Sequence, residues 1–241
     1  MRIAALSDVH GNLRGLKAVL ADMDRKGPFD FVVAAGDHVL KGPFPRETLE
    51  LLRDRCDLLL LGNTDAYLTG EIDLKARLRP DHWKLDLVEW TKDRLGAEGI
   101  HQLKGLPFEA DCTPRPGHRV QFVHANPKDL EESLHPQAPD AILEALCQGV
   151  TAEILVFGHI HIPYVRKLKK LTLCNVASAG IPKDGDVRPA WTLLTYTSEN
   201  RWTIEQRRVA YDAQAAARDH AQSGMPAGEK LGQRLLAARY K

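Results

Sequence analysis

Asp8-Val9-His10, Gly36-Asp37, Gly62-Asn63-Thr64-Asp65, His124 and Gly158-His159-Ile160-His161 each follow an apolar run that reads as a buried strand. Setting aside Thr64 and Asp65, they offer two carboxylates, one amide oxygen and four imidazoles. Hard oxygens mixed with imidazoles suit a pair of divalent ions that activate water, the chemistry of phosphoester cleavage. Asp8 and His10 are two residues apart, as are His159 and His161, and on extended backbone that spacing puts both side chains on one face. Asp37 follows a glycine at a strand end, where one carboxylate could bridge two ions about 3.5–4 Å apart. Asn63 adds a neutral oxygen, which keeps such a site from becoming too anionic. Singly, each fragment has a plainer explanation: a D-x-H can cap or brace a turn, and a lone histidine such as His124 is usually satisfied inside a core. Five fragments in one order, each at a strand end, are not explained that way.

The elements that position them can be read from periodicity. Arg2 to Leu6 is a short apolar strand. Leu13, Leu16, Leu20 and Met23 recur at helical spacing, with Asn12 as N-cap and Gly27-Pro28 as the stop. Phe31 to Ala35 is a second strand. Pro45 opens a helix whose Leu49, Leu52 and Cys56 share a face, and Leu58 to Leu61 is a third strand running into Gly62-Asn63. This alternation implies parallel pairing with right-handed crossovers, and ligands in such sheets bind beyond the carboxyl ends of the strands. Residues 66–105 interrupt the pattern as a charged helical insertion of cap-like character, with His82, Trp83 and Trp90. Strands over Arg119–Val123 and Ile154–Phe157 lead into His124 and Gly158-His159, with a helix over Ala141–Leu146 between them. Tyr164–Val165, Thr172–Val176, Trp191–Thr197 and Arg201–Gln206 read as antiparallel strands. From about residue 209 the chain is an Ala-rich helical extension broken at Gly224-Met225-Pro226. No repeat or linker suggests a boundary, so one domain over 1–241 is expected.

Bulk properties narrow the class. The chain has 241 residues, 44% hydrophobic and 27% charged, with a formal net charge of +1. That size buries a large core, and the near-neutral balance argues against a general nucleic-acid or membrane-surface binder. No apolar run approaches the roughly 18 residues of a membrane span, and no leader precedes the first strand, so a cytoplasmic protein is expected. Cys56, Cys112, Cys147 and Cys174 are scattered without a C-x-x-C pair and read as reduced thiols.

The order D-x-H, G-D, G-N-x-D, H and G-H-x-H resembles that of the calcineurin-like metallophosphoesterases. Ser7-Asp8-Val9-His10-Gly11-Asn12 resembles the family's S-D-x-H-G-N, Gly158 to Pro163 its G-H-T-H-x-P, and Asn175 to Gly180 its N-P-G-S-x-G turn. The nearest resemblance is to the small bacterial and archaeal phosphodiesterase-like branch. It implies an α/β (α+β) fold, a four-layer α/β/β/α sandwich of two mixed sheets flanked by helices. It also implies that Asp8, His10 and His161 hold one divalent ion, that Asn63, His124 and His159 hold a second, and that Asp37 bridges. Manganese is favoured, with iron, nickel or zinc as alternatives. A hydroxide between the ions would attack phosphorus in line with the leaving oxygen of a small phosphoester.

The chain departs from the family at one telling place. The usual third motif is G-N-H-[D/E], whose histidine protonates the leaving group, and here Thr64 stands there. Threonine is no general acid near neutral pH, so a contribution of about 10²–10⁴-fold must come from elsewhere or be absent. Diesters with good leaving groups suffer least, which favours a phosphodiesterase on a nucleotide-like or other small diester. Asp65 and His38 are the local candidates to stand in, and Asn12 and Lys41 are candidate phosphate contacts. The alternatives are a phosphomonoesterase or protein phosphatase, and a non-catalytic scaffold such as the family's retromer subunit. A scaffold would be expected to have lost ligands, and none is lost here. Oligomeric state is not legible.

Overall fold

The computed structural model describes residues 1–239. The first sheet runs β10–β9–β1–β2–β3. In it β1 (Arg2–Leu6), β2 (Phe31–Ala34) and β3 (Leu58–Leu59) are parallel, while β9 (Ala190–Tyr196) lies antiparallel to β1 and β10 (Trp202–Arg208) antiparallel to β9. The second sheet runs β4 (Glu109–Cys112), β5 (Val120–Val123), β6 (Ile154–Phe157), β8 (Thr172–Asn175), β7 (Tyr164–Lys167). Among the described residues seven α-helices flank the sheets: α1 (Leu13–Lys26), α2 (Pro45–Arg55), α3 (Asn63–Thr69), α4 (Trp83–Lys104), α5 (Asp140–Leu146), α6 (Ala213–Gln222) and α7 (Gly228–Ala237).

Side-chain alternation along the strands builds the layers. Ile3, Ala5, Val33, Val120, Phe122, Ile154 and Val156 meet in one cluster between the two sheets. Their neighbours Ala4 and Leu6 turn the other way, onto Leu16, Val19 and Leu20 of α1 and Leu49 and Leu52 of α2. Leu155 and Phe157 turn outward onto Leu143 and Leu146 of α5. Strands buried on both faces read as unbroken apolar runs, which is why the central strands stand out in sequence. This is the expected four-layer sandwich. Leu87, Val88, Leu95 and Leu103 of α4 and Leu231 of α7 join the core beneath the first sheet, so the insertion and the C-terminal extension pack where α1 packs. Among the described residues no helix is long and apolar enough to cross a membrane.

Several expectations need correction. β3 ends at Leu59 rather than Leu61, because Leu61 N leaves the ladder for the Pro107 carbonyl (2.9 Å). Asn63 therefore opens α3 instead of closing a strand. The expected antiparallel pairing holds between β7 and β8, and β8 also pairs parallel with β6, as the expected mixed sheet requires. Edge strand β4, half polar as Glu-Ala-Asp-Cys, gives no hydrophobic signal and was not anticipated. α4 is broken at Gly96, whose φ of 69° lies outside the helical region.

One buried ion cluster ties α1 to the first sheet. Asp22 accepts from Trp191 Nε1 (2.9 Å), Arg207 Nε (2.8 Å) and Arg25 Nη2 (2.9 Å). The Arg207 hydrogen bond, helped by Trp191 and Arg25 against the burial, holds its carboxyl down at about 2. A depressed carboxylate adds stability above its unfolded pKa and loses it as pH falls through the folded one, here about 2 kcal/mol lost between about pH 4 and pH 2. Asp22→Asn is therefore expected to lower urea stability at pH 6, with the gap to the parent narrowing as pH falls below 4. A pH-independent gap would contradict this account.

Candidate metal centre

The loops after β1, β2, β5 and β6 converge at one edge of the sandwich. Asp8, His10, Asp37, His159 and His161 all have positive φ, between 49° and 68°. For non-glycine residues this region costs roughly 1–3 kcal/mol each, and such strain collects at functional sites. It also corrects how the paired ligands come to share a face. The strands end at Leu6 and Phe157, and the D-x-H and H-x-H side chains are aimed by alternate left-handed residues in tight turns, not by an extended pleat.

Hydrogen bonds hold those turns. Asp8 N donates to Gly36 O (3.0 Å), His10 N to Asp37 O (3.0 Å) and Gly11 N to His38 O (2.9 Å), lacing the first loop to the second. Asp65, fully buried, accepts from three backbone N–H groups: Asp37 (2.8 Å), Gly62 (3.0 Å) and His38 (3.1 Å). The second sheet closes the ring, since Ser178 Oγ donates to Asp8 O (2.6 Å) and Ala179 N to Ser7 O (2.8 Å). Gly62 is required because a side chain there would strike the backbone and carboxylate of Asp37.

Every histidine of the set is oriented by a backbone carbonyl. His10 Nδ1 donates to Leu40 O (2.8 Å), His124 Nδ1 to Ala35 O (2.8 Å), His161 Nδ1 to Ile181 O (2.6 Å) and His159 Nε2 to Glu131 O (2.9 Å). A carbonyl can only accept, so in the neutral rings the proton sits on that nitrogen and the other nitrogen is a bare lone pair. Those bare nitrogens meet. His10 Nε2 and His161 Nε2 are 3.2 Å apart, with Asp8 Oδ1 3.2 Å from the latter and without a hydrogen-bond partner. In a second group Asn63 Oδ1 lies 3.1 Å from His124 Nε2 and 3.2 Å from His159 Nδ1. Its amide is locked the right way round: Asn63 Nδ2 donates to Tyr67 Oη (3.0 Å), whose own proton goes to Glu131 Oε1 (2.7 Å). Asp37 reaches both groups, with Oδ2 3.5 Å from His10 Nε2 and Oδ1 3.4 Å from His124 Nε2. Buried acceptors facing acceptors repel unless a cation lies among them. The donor set therefore fits metal, and among the described residues two clusters could hold an ion: Asp8, His10 and His161, and Asp8, Asp37 and His124.

Electrostatics agree at each titratable candidate ligand except His124. Burial alone would raise the Asp37 carboxyl, but His124, Lys41, the Thr64 N–H and His159 hold it at about 2. Asp8 is likewise held low against burial by His161 and His124. Burial, with Lys41 and His161 adding like charge, pushes His10 well below its usual value, and burial with His124 takes His159 to about 4. Ionised aspartates and neutral imidazoles are the protonation states that ligate, and His124 goes the other way: burial lowers it, but the Asp37 and Asp8 carboxylates outweigh that and raise it.

The other sequence candidates lie close by. His38 is buried with Nε2 donating to Leu60 O (2.8 Å), 3.8 Å from Asp65. Asn12 caps α1 through Gly15 N (3.0 Å) and holds Gly180 O through its amide (2.7 Å). Lys41 adjoins the centre, where Asp37 and Asp8 act on its charge. Thr64 is 1% exposed, its hydroxyl buried without a partner and its N–H given to Asp37 Oδ1 (2.8 Å). Trp83 and Trp90 pack against the first core. Sequence reasoning missed Tyr67 and Glu131, which set the Asn63 amide. Tyr67 sits four residues after Asn63, one helical turn away, and that spacing was the available signal.

Residues 1–163 match the calcineurin-like phosphoesterase family. An uncharacterized protein of Methanocaldococcus jannaschii is 31% identical, the alignment covering 98% of each chain. A metallophosphoesterase of Sphaerobacter thermophilus superposes with a TM-score of 0.77 at 26% identity over 99% of each chain. A hypothetical protein of Pyrococcus horikoshii shares the fold, with a TM-score of 0.84 at 20% identity, over 100% of this chain and 99% of its own. With the family match spanning more than half its length and a relative above 30% identity along nearly all of it, the chain belongs to the calcineurin-like phosphoesterase family.

Proposed function

We propose that the protein is a phosphodiesterase acting on a nucleotide-like or other small diester. Two divalent ions, manganese favoured over iron, nickel or zinc, divide between Asp8/His10/His161 and Asn63/His124/His159 with Asp37 shared. The observation that carries the reading is the meeting of bare ligand atoms, above all the 3.2 Å approach of His10 Nε2 to His161 Nε2. When bound, such ions supply Lewis acidity and lower the pKa of water. The protein's own part is to present that chemistry with little rearrangement. Backbone carbonyls fix the imidazole tautomers, Tyr67 fixes the Asn63 amide, and Asp37 stays ionised. Lys41, whose ammonium is pushed down by burial while the Asp37 and Asp8 carboxylates push it back up, lies where an anionic phosphoryl group would arrive. Asp65 and Asn12 act by holding loops rather than by touching substrate, since their polar atoms are directed to the backbone, while His38 is tied to Leu60 O through Nε2 and keeps a buried Nδ1 without a partner.

The diester preference rests on Thr64. A buried threonine cannot deliver a proton to the leaving oxygen, so poor leaving groups are disfavoured. The shared core of insertion, C-terminal helices and first sheet supports treating the chain as one catalytic unit. The test is manganese-reconstituted protein assayed on bis-p-nitrophenyl phosphate and p-nitrophenyl phosphate. Faster diester turnover, lost on chelation, is expected. Faster monoester turnover would overturn the substrate assignment.

A further inference from the structure

The two halves of the metal centre are oriented by different means. His10 and His161 are aimed by the carbonyls of Leu40 and Ile181, which lie on separate loops. Asn63 and His159 instead depend on one residue, Glu131. His159 Nε2 donates to the Glu131 carbonyl (2.9 Å), while the Glu131 carboxylate accepts from the Tyr67 hydroxyl (2.7 Å) that in turn holds the Asn63 amide. Glu131 is itself fixed by its own loop. Its N–H and that of Glu132 both donate to Asp129 Oδ1 (2.7 Å each), and Asn126 Nδ2 holds the Glu132 carbonyl (2.8 Å). Arg77, from the insertion, pairs with the second carboxylate oxygen. Burial would raise the Glu131 carboxyl, but the hydrogen bonds from Arg77 and Tyr67 hold it below its ordinary value. It is therefore ionised near neutral pH and can only accept.

That charge decides which way Asn63 faces. Tyr67 must give its proton to the carboxylate, so toward Asn63 its oxygen can only accept. The Asn63 NH₂ is drawn to it (3.0 Å), and Oδ1 is left facing His124 Nε2 and His159 Nδ1 (3.1 and 3.2 Å). Turned over, the amide would put its NH₂ where Oδ1 now lies, with a donor toward each of those bare nitrogens. In metal-free protein that pairing is the better one, because donors facing lone pairs replace an acceptor facing acceptors. It would also occupy both imidazole nitrogens that an ion needs. We propose that Glu131 is a positioning residue for the second ion, acting through Tyr67 to keep the Asn63 amide from turning over and capping His124 and His159. The proposal rests on the two-ion assignment in the phosphodiesterase reading and uses nothing of its substrate preference.

Calorimetric titration of metal-free protein with manganese tests it. Glu131→Gln removes the charge that draws the Tyr67 proton, and Tyr67 can then donate to the turned Asn63 oxygen. One of the two dissociation constants should weaken at least tenfold while the other stays within about threefold, and Tyr67→Phe should do the same. The urea midpoint of metal-free Glu131→Gln should not fall, because the turned amide gains two partners. Asn63→Asp supplies the control, since a carboxylate has two like oxygens and nothing to turn. In that background Glu131→Gln should change neither constant by more than about threefold. Equal weakening of both ions, a lower urea midpoint, or an undiminished loss in the Asn63→Asp background would each make Glu131 a general brace and overturn the proposal. Unchanged constants in Glu131→Gln and Tyr67→Phe would overturn it too, with the two-ion assignment intact. If the parent binds fewer than two ions, that assignment fails and takes this one with it.

Discussion

Asp37→Asn is expected to lower diester turnover by about 10³-fold, on the order of 4 kcal/mol of transition-state stabilisation, and to reduce bound metal below two ions per chain. The substitution keeps the shape and lets Oδ1 still accept from Thr64 N, so the fold should survive. What it removes is a charge that faces both ligand groups, Oδ2 toward His10 and Oδ1 toward His124. Turnover of bis-p-nitrophenyl phosphate and metal content by emission spectrometry check it, with circular dichroism as the control for folding. Activity within tenfold of the parent, with two ions retained, would show that Asp37 does not bridge.

The second large effect comes from a residue that touches no ion. Asp65→Ala is expected to destabilise the metal-free protein by about 3–5 kcal/mol and to weaken metal affinity by about 10–100-fold. Three buried N–H groups on two loops lose their acceptor, and each unsatisfied donor costs about 1–3 kcal/mol. Asp65→Asn should recover only part of this. Oδ2 serves Asp37 and Gly62 while Oδ1 serves His38, so an amide NH₂ must face at least one donor whichever way it turns. Urea unfolding and a metal titration measure the two parts. A metal-free Asp65→Ala protein within 1 kcal/mol of the parent would remove Asp65 from its bracing role.

Much of the architecture was legible because buried strands leave a blunt mark. Ile154 to Phe157 is wholly apolar and led correctly to Gly158-His159. Helix α1 declared itself by the spacing of Leu13, Leu16, Leu20 and Met23 and by its Asn12 cap. Strand β4 did not, since an edge strand with alternate polar residues resembles a loop. The candidate ligand set is legible as residue types in order, but its backbone is not. Left-handed turns at Asp8 and His161 depend on partners such as Gly36 and Ser178 that are far away in sequence, and no local pattern encodes them.

The clasp of the first loop by Ser178 and Ala179 has a consequence for the order of assembly. All seven candidate ligand positions are present in the chain by His161, yet the Asp8 carbonyl is not held until residues beyond β8 have crossed back to the first sheet. Contacts separated by some 170 residues close slowly, because a long loop must be ordered before they reward it. The ion pair would therefore bind to a finished fold rather than nucleate one. It would act on the equilibrium by mass action, raising stability with free metal concentration while leaving the folding rate nearly unchanged.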